Sequence, residues 1–96
     1  MTTTPHHSYI DAMKTQLDDL NVKLNAIEIK AEEAKGDARA AYLEEMRKLR
    51  HQSKLAVAKF EEIKLAGEDT WDSMVEEMDK VRDAFSHSFK YFKSQL

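Results

Sequence analysis

The stretch IDAMKTQLDDLNVKLNAIEIKAEEAKGDARAA, residues 10–41, decides the fold. Its apolar residues recur at alternating steps of three and four, the spacing of the buried seam of a coiled-coil helix. These seam positions are Ile10, Met13, Leu17, Leu20, Leu24, Ile27, Ala31, Ala34, Ala38 and Ala41. Few residues interrupt a helix, because the chain holds one proline, Pro5, and two glycines, Gly36 and Gly67. The pattern predicts an all-α protein.

A second seam begins at Tyr42 and continues the first with a shift in register. Its positions are Tyr42, Met46, Leu49, Ser53, Ala56, Phe60 and Ile63. The steps that lead from Ala34 to Met46 are all four residues long, which is a stutter that unwinds the supercoil locally without ending the helix. We therefore predict one long helix over about 8–66, with Ser8 as its N-cap.

Gly36 leaves an alternative open. A glycine inside a helix costs about 1 kcal/mol relative to alanine, which a long helix can absorb. The helix is then about 90 Å long, and its Met13–Ile27 stripe packs on a second chain in an antiparallel dimer. Gly36 also suits the position just after a helix end, with Asp37 capping the next helix. That arrangement is a compact three-helix bundle within one chain. The helix formers on both sides favour the long helix.

The sequence LAGEDTW, residues 65–71, predicts a turn. Gly67 suits the left-handed conformation that closes a helix, and Asp69 or Thr70 can cap the next one. That last helix, predicted over about 69–94, folds back antiparallel on the preceding residues. Its seam comprises Trp71, Met74, Met78, Val81, Phe85, Ser88 and Phe92, and it is widened by Val75, Phe89 and Leu96.

We interpret residues 1–96 as a single helical coiled-coil domain whose residues 1–7 are a frayed N-terminus. The large apolar residues form an interaction seam through which helices pack, within one chain or between copies. The predicted interaction seam consists of Met13, Leu17, Leu20, Leu24, Ile27, Met46, Leu49, Phe60, Ile63, Trp71, Met74, Met78, Val81, Phe85 and Phe92.

The composition narrows the class of protein. Of 96 residues, 34 % are charged and 8 % aromatic, which suits helices with a narrow apolar seam. A net charge of −3 and a pI near 5.8 argue against a dedicated nucleic-acid binder. The absence of cysteine excludes disulfides and thiol catalysis. The sequence shows no signal-peptide pattern and no apolar run near the roughly 20 residues of a membrane span. We expect a cytoplasmic protein and interpret it as bacterial.

Residues that could carry chemistry do not form a recognisable site. Neither His51 nor His87 has an acid three residues earlier, as di-iron helical bundles require. The pair His6 and His7 is read as part of a solvated tail. Adjacent acids on a helix point about 100° apart and mostly into water. They have the spacing of helix ion pairs, namely Asp19 to Lys23, Glu44 to Lys48 and Glu76 to Lys80. We predict no catalytic residue, no cofactor and no metal.

Two surface clusters remain. The basic cluster consists of Arg47, Lys48, Arg50, His51 and Lys54. It lacks the interleaved aromatic residues that stack on bases, so a solvated helix face is the favoured interpretation. The second cluster lies at the end of the last helix, which is rich in phenylalanine. It consists of Phe89, Lys90, Tyr91 and Lys93. These four residues are candidates for contact with a partner or a membrane surface. The favoured interpretation places Phe85, Phe89 and Phe92 at the wide end of the helical core.

The order of several segments resembles a known group of proteins. An amphipathic helix through Leu17-Asp18-Asp19-Leu20-Asn21 precedes the alanine-rich residues 31–38 and the turn Gly67-Glu68-Asp69-Thr70-Trp71. This order resembles small bacterial coiled-coil proteins, some labelled stress-response proteins, over nearly the whole chain. Members usually have alanine where this chain has Gly36. The resemblance implies a helical, oligomer-prone, non-enzymatic protein and carries no catalytic residues over.

The sequence thus predicts a non-enzymatic structural or interaction protein. It is expected to self-associate as a homodimer or higher oligomer and to act as a stress-related accessory factor or adaptor, binding another protein. No nucleic-acid partner is expected. The alternative is a module that docks on a partner or a membrane surface through the aromatic and basic C-terminal helix.

Overall fold

The computed structural model describes residues 5–96, which form three α-helices joined by short turns. The helices are α1 (Pro5–Glu33), α2 (Gly36–Lys64) and α3 (Glu68–Gln95). The described residues contain no strand, so the all-α prediction is confirmed. Of the predicted frayed terminus, residues 1–4 lie outside the described residues, whereas residues 5–7 belong to α1. Ser8 therefore lies inside α1 and is not its N-cap.

The helices run up, down and up along a common axis. Tyr42, near the start of α2, donates from its hydroxyl to the carbonyl oxygen of Gln95 at the end of α3, at 3.2 Å. Tyr9, near the start of α1, lies edge-on to Trp71 near the start of α3, with ring centroids 5.7 Å apart. Thus α2 is antiparallel to α3, and α1 is parallel to α3. The bundle measures 57 × 20 × 18 Å.

The prediction of one helix over 8–66 is wrong, and the three-helix alternative is confirmed. The long dimension of 57 Å is well below the ~90 Å of a 59-residue helix. The chain reverses through Ala34 and Lys35, and Lys35 is extended at φ −121° and ψ 157°. Gly36 then takes φ +63°, a left-handed value that glycine adopts without the steric cost paid by other residues. The physical reason for the turn is burial, because folding back covers the Met13–Ile27 stripe within one chain.

The predicted turn at Gly67 is confirmed, but its geometry differs from the prediction. Leu65 and Ala66 close α2 by donating to carbonyl oxygens three residues earlier, at 3.0 and 3.1 Å. Gly67 has φ −85° and ψ 176°, so it is extended rather than left-handed, and it occupies the N-cap of α3. Asp69 and Thr70 therefore lie within α3 and do not cap it.

The core lies along the axis where the three seams meet. The most completely buried large side chains are Met13 and Leu24 of α1, Ile63 of α2, and Met78 and Phe85 of α3. The seam is thinner near the first turn, where Ala31 is buried but Ala38 and Ala41 are exposed. Burial of this apolar surface is the main stabilising contribution to a domain of this size.

Candidate functional site

The predicted interaction seam lies inside the bundle. Leu20, Met74 and Val81 are half-buried and pack against the core, and the other seam residues are buried. The buried members are Met13, Leu17, Leu24, Ile27, Met46, Leu49, Phe60, Ile63, Trp71, Met78, Phe85 and Phe92. Because these side chains contact one another inside a single chain, they do not form an open surface for a second protein. The seam therefore holds the fold together, and the candidate functional surface consists of the grooves and faces outside it.

Polar contacts fix α1 against α3 at one end of the bundle. The Tyr9 hydroxyl donates to Asp79 Oδ1 at 2.6 Å, and Arg82 donates to Gln16 Oε1 at 2.6 Å. His6 stacks on Trp71 with centroids 3.8 Å apart. His6 therefore belongs to the folded domain, whereas the sequence placed it in a solvated tail.

The Tyr9–Asp79 hydrogen bond predicts a pH effect. Burial, followed by the bond to the Asp79 carboxylate, raises the pKa of Tyr9 above its ordinary value of 10.0. The folded state therefore favours the neutral phenol, and this contribution to stability is complete below pH 10.0 and is lost as the pH rises further. We expect Tyr9→Phe to lower the free energy of unfolding by about 1 kcal/mol at neutral pH, with a smaller difference from wild type in strong base. Urea denaturation at several pH values measures both effects.

The exposed Tyr91 provides the control for that prediction. Tyr91→Phe removes a hydroxyl from the surface and is expected to leave stability nearly unchanged. A Tyr9→Phe protein as stable as wild type at neutral pH would contradict the assigned hydrogen bond.

A second set of polar contacts aligns α1 with α2. The Ser53 hydroxyl donates to Asn21 Oδ1 at 2.6 Å within the seam, and the Asn21 amide donates to the Leu17 carbonyl oxygen. Arg50 contacts Asn25 at 2.7 Å and also pairs with Glu28. A polar pair in an otherwise apolar seam favours one register of two helices over shifted ones. These contacts specify how α1 lies on α2.

The basic cluster is partly neutralised by neighbouring acids. Arg47 pairs with Glu44, Lys48 with Glu45 at 3.4 Å, and Arg50 with Glu28. The predicted pair from Glu44 to Lys48 is therefore replaced by pairs three residues apart. The other two predicted pairs form, from Asp19 to Lys23 at 2.9 Å and from Glu76 to Lys80 at 3.8 Å. Such exposed pairs contribute roughly 0–1 kcal/mol each, so they describe a solvated surface.

One ion pair joins α2 to α3. Lys59 Nζ lies 2.8 Å from Glu77 Oε1, and its hydrogen bond lowers the pKa of the Glu77 carboxyl. The pair supports the antiparallel packing of these helices.

The histidines and acids do not assemble a metal centre in residues 5–96. Among these residues, no three histidine, cysteine, aspartate or glutamate side chains come together in a group able to hold a metal ion. His7 pairs with Asp11 one turn along α1, at 3.2 Å. His51 and His87 are both exposed, on α2 and α3.

The C-terminal aromatic residues divide between the core and the surface. Phe89 is buried together with Phe85 and Phe92, so the structure places it in the core and not on a contact surface. Lys90, Tyr91 and Lys93 are exposed. Of the four residues that the sequence proposed for contact with a partner or membrane, these three remain accessible.

The cavities described in the structure are grooves between neighbouring helices. One groove of about 490 Å³ lies between α2 and α3 beside Lys48, Gln52 and Ser88. A smaller groove of about 220 Å³ adjoins it at Tyr42 and Tyr91. Within residues 5–96, none of the three helices combines the length and apolar character needed to cross a bilayer.

Several contacts were absent from the sequence-based prediction. Tyr9 and Asp79 are 70 residues apart, and Gln16 and Arg82 are 66 apart, so local pattern gives no signal for either pair. Ser53 did carry a signal, because it is a polar residue at a seam position and requires a buried partner.

Comparison with protein-family models, with curated proteins and with solved structures finds no match.

Proposed function

We propose that this protein is a non-enzymatic structural and interaction protein that self-associates. The observation that carries the proposal is the use of the large apolar side chains. In residues 5–96 most of them pack on one another, and the grooves described between helices are shallow and lined by mixed polar and apolar side chains. The large apolar residues that stay exposed on the helix faces are Val22, Ile29, Leu55, Val57, Leu65, Tyr91 and Leu96. General acid–base or nucleophilic catalysis requires convergent groups in a water-excluding pocket. A bundle with helical faces as its accessible surface is instead suited to binding other helices.

The role proposed for this binding is that of an accessory factor or adaptor in a stress response. This part of the proposal is supported by the resemblance of the segment order to small coiled-coil proteins. The polar contacts at Asn21–Ser53 and Tyr9–Asp79 also favour one defined packing of α1, and a defined packing is what a specific interaction module needs.

The alternative is a module that docks on a membrane surface through the C-terminal helix. Its support comes from Lys90, Tyr91 and Lys93, which are exposed on the last turns of α3. A membrane-surface helix inserts an apolar face, and Phe85, Phe89 and Phe92 are committed to the core. The interaction protein is therefore the better-supported function.

Sedimentation velocity over a concentration series tests the proposed self-association. We expect the average mass to rise above the 11.1 kDa of one chain as the concentration increases from micromolar towards millimolar. A single species of monomer mass throughout that range would contradict the proposal.

A further inference from the structure

The turn between α1 and α2 is short and depends on one residue. Two residues, Ala34 and Lys35, separate the end of α1 from the start of α2. The left-handed backbone of Gly36 completes the reversal at φ +63°. A residue other than glycine pays a steric cost at that angle. A Cβ atom added to Gly36 would meet nothing within 4 Å, so the cost of substitution lies in the backbone and not in packing.

The residues around the turn favour a helix over any turn. Ala31 to Lys35 and Asp37 to Ala41 are rich in alanine, glutamate, lysine and arginine, which are strong helix formers. The turn replaces helical hydrogen bonds with two long contacts, from the Ala34 amide to the Ala31 carbonyl oxygen at 3.3 Å and from Arg39 Nε to the Glu32 carbonyl oxygen at 3.2 Å. The N-cap of α2, Lys35, makes no side-chain capping bond. The helix propensity of these residues therefore favours a continuous helix over the chain reversal at Gly36.

Little apolar surface is lost if the turn opens. Ala34 is half-buried, and the residues from Lys35 to Ala41 are exposed. The contacts that matter lie further away on α1, where Met13, Leu17 and Leu24 are buried. The α2–α3 hairpin of a second copy presents the same surface to α1. An α1 that leaves its own hairpin can therefore recover the same burial and polar partners on another chain.

We infer that Gly36 determines whether α1 packs on its own chain or on a second copy of this protein, and that α1 exchange is the route of its self-association. This inference specifies a mechanism for the proposed self-association and in that sense rests on it. In the exchanged dimer, α1 and α2 form one continuous helix, and each α1 lies on the hairpin of the other chain. With glycine at position 36 the single-chain bundle is favoured.

Gly36→Ala is the direct test. The substitution destabilises the left-handed turn of the single-chain bundle and stabilises the continuous helix of the exchanged dimer. Each free-energy change applies to both chains of the dimer. The dissociation constant of the dimer should fall on the order of a thousandfold. Gly67→Ala is the matched control, because Gly67 has an ordinary φ of −85° and also has open space around it. It should leave the dissociation constant unchanged.

Cysteine cross-linking identifies which chain α1 contacts, since the protein has no natural cysteine. Asp18 and Val57 line one groove between α1 and α2 and are both exposed. In Asp18→Cys/Val57→Cys, a short bismaleimide should join the cysteines within one chain, and adding Gly36→Ala should yield covalent dimers instead. Lys59→Cys/Glu77→Cys joins α2 to α3 and should give monomers in both backgrounds.

The outcomes separate this inference from the proposed function. A folded Gly36→Ala protein that cross-links only within one chain overturns α1 exchange, even if the wild type self-associates by another route. Covalent dimers of Gly36→Ala support exchange even if the wild type sediments as a monomer.

A Gly36→Ala protein that does not fold still leaves a decisive experiment. Asp18→Cys/Val57→Cys protein with Gly36 intact is refolded at increasing concentration and then cross-linked. We expect the yield of covalent dimers to increase with concentration. Adding Lys35→Gly should lower that yield roughly twentyfold, because glycine disfavours the continuous helix in both chains. No dimer at any concentration would overturn the inference.

Discussion

Replacing Phe85 with alanine is expected to lower the free energy of unfolding by about 3–5 kcal/mol. Phe85 is 0 % exposed and lies on the core face of α3. Its removal loses the transfer free energy of the ring and leaves a cavity that neighbouring side chains fill only in part. Since domains of this size are stable by only about 5–15 kcal/mol, a large share of the stability would be lost. Urea denaturation followed by circular dichroism measures the change.

Tyr91→Ala is the matched control on the same helix. Tyr91 is 64 % exposed, and truncating it should change stability by no more than about 0.5 kcal/mol. The two variants together test whether the C-terminal aromatics are divided between core and surface. Equal effects of the two substitutions would contradict that division.

Replacing Leu24 with alanine is expected to lower the free energy of unfolding by about 2–5 kcal/mol. Leu24 is 0 % exposed, at the middle of the α1 seam. The effect should not depend on protein concentration in the low-micromolar range, because in the single-chain bundle Leu24 is buried in the core of the same molecule. A seam that packs only between chains predicts instead a loss of oligomer with little change in the monomer.

Val22→Ala is the control for this second prediction. Val22 lies two residues before Leu24 on the outward face of α1 and is 67 % exposed, so its truncation should cost well under 1 kcal/mol. Denaturation at two protein concentrations distinguishes the interpretations. A midpoint for Leu24→Ala that rises strongly with concentration within the low-micromolar range, below the range in which the exchanged dimer is expected, would contradict packing of α1 on its own chain.

The helices and the second turn were predictable because their signals are local. Spacing of apolar residues identifies the buried face of each helix, and Met13, Leu24 and Phe85 lie where the seam predicts. Gly67 marks the turn because the acids that follow it, Glu68 and Asp69, suit the first turn of a new helix. On α3 the spacing of the seam assigns Ser88 to the core, but Ser88 is half-buried and its neighbour Phe89 is buried. The larger apolar side chain takes the core position although strict spacing assigns the serine.

The first turn was mispredicted because local and global contributions disagree there. Helix propensity around Gly36 favours continuity by about 1 kcal/mol per residue at most. Burial of the Met13–Ile27 stripe against the same chain contributes more, at roughly 1.5–3 kcal/mol for each large side chain. A pattern read along the sequence does not show which chain supplies that burial. The contacts of Tyr9 with Asp79 were unpredictable for the same reason, since they depend on the bundle's topology.

The packing of α1 on its own chain is tested most directly by one distance. Spin labels at Gln16 and Gln52, in doubly labelled chains diluted into unlabelled wild-type protein, report only the separation within a molecule. In the bundle, α1 and α2 lie side by side and the labels are close together. In a straight helix the 36 residues between them would span about 54 Å. A short distance in dilute wild-type protein is the result expected, and a distance near 54 Å would contradict the three-helix core.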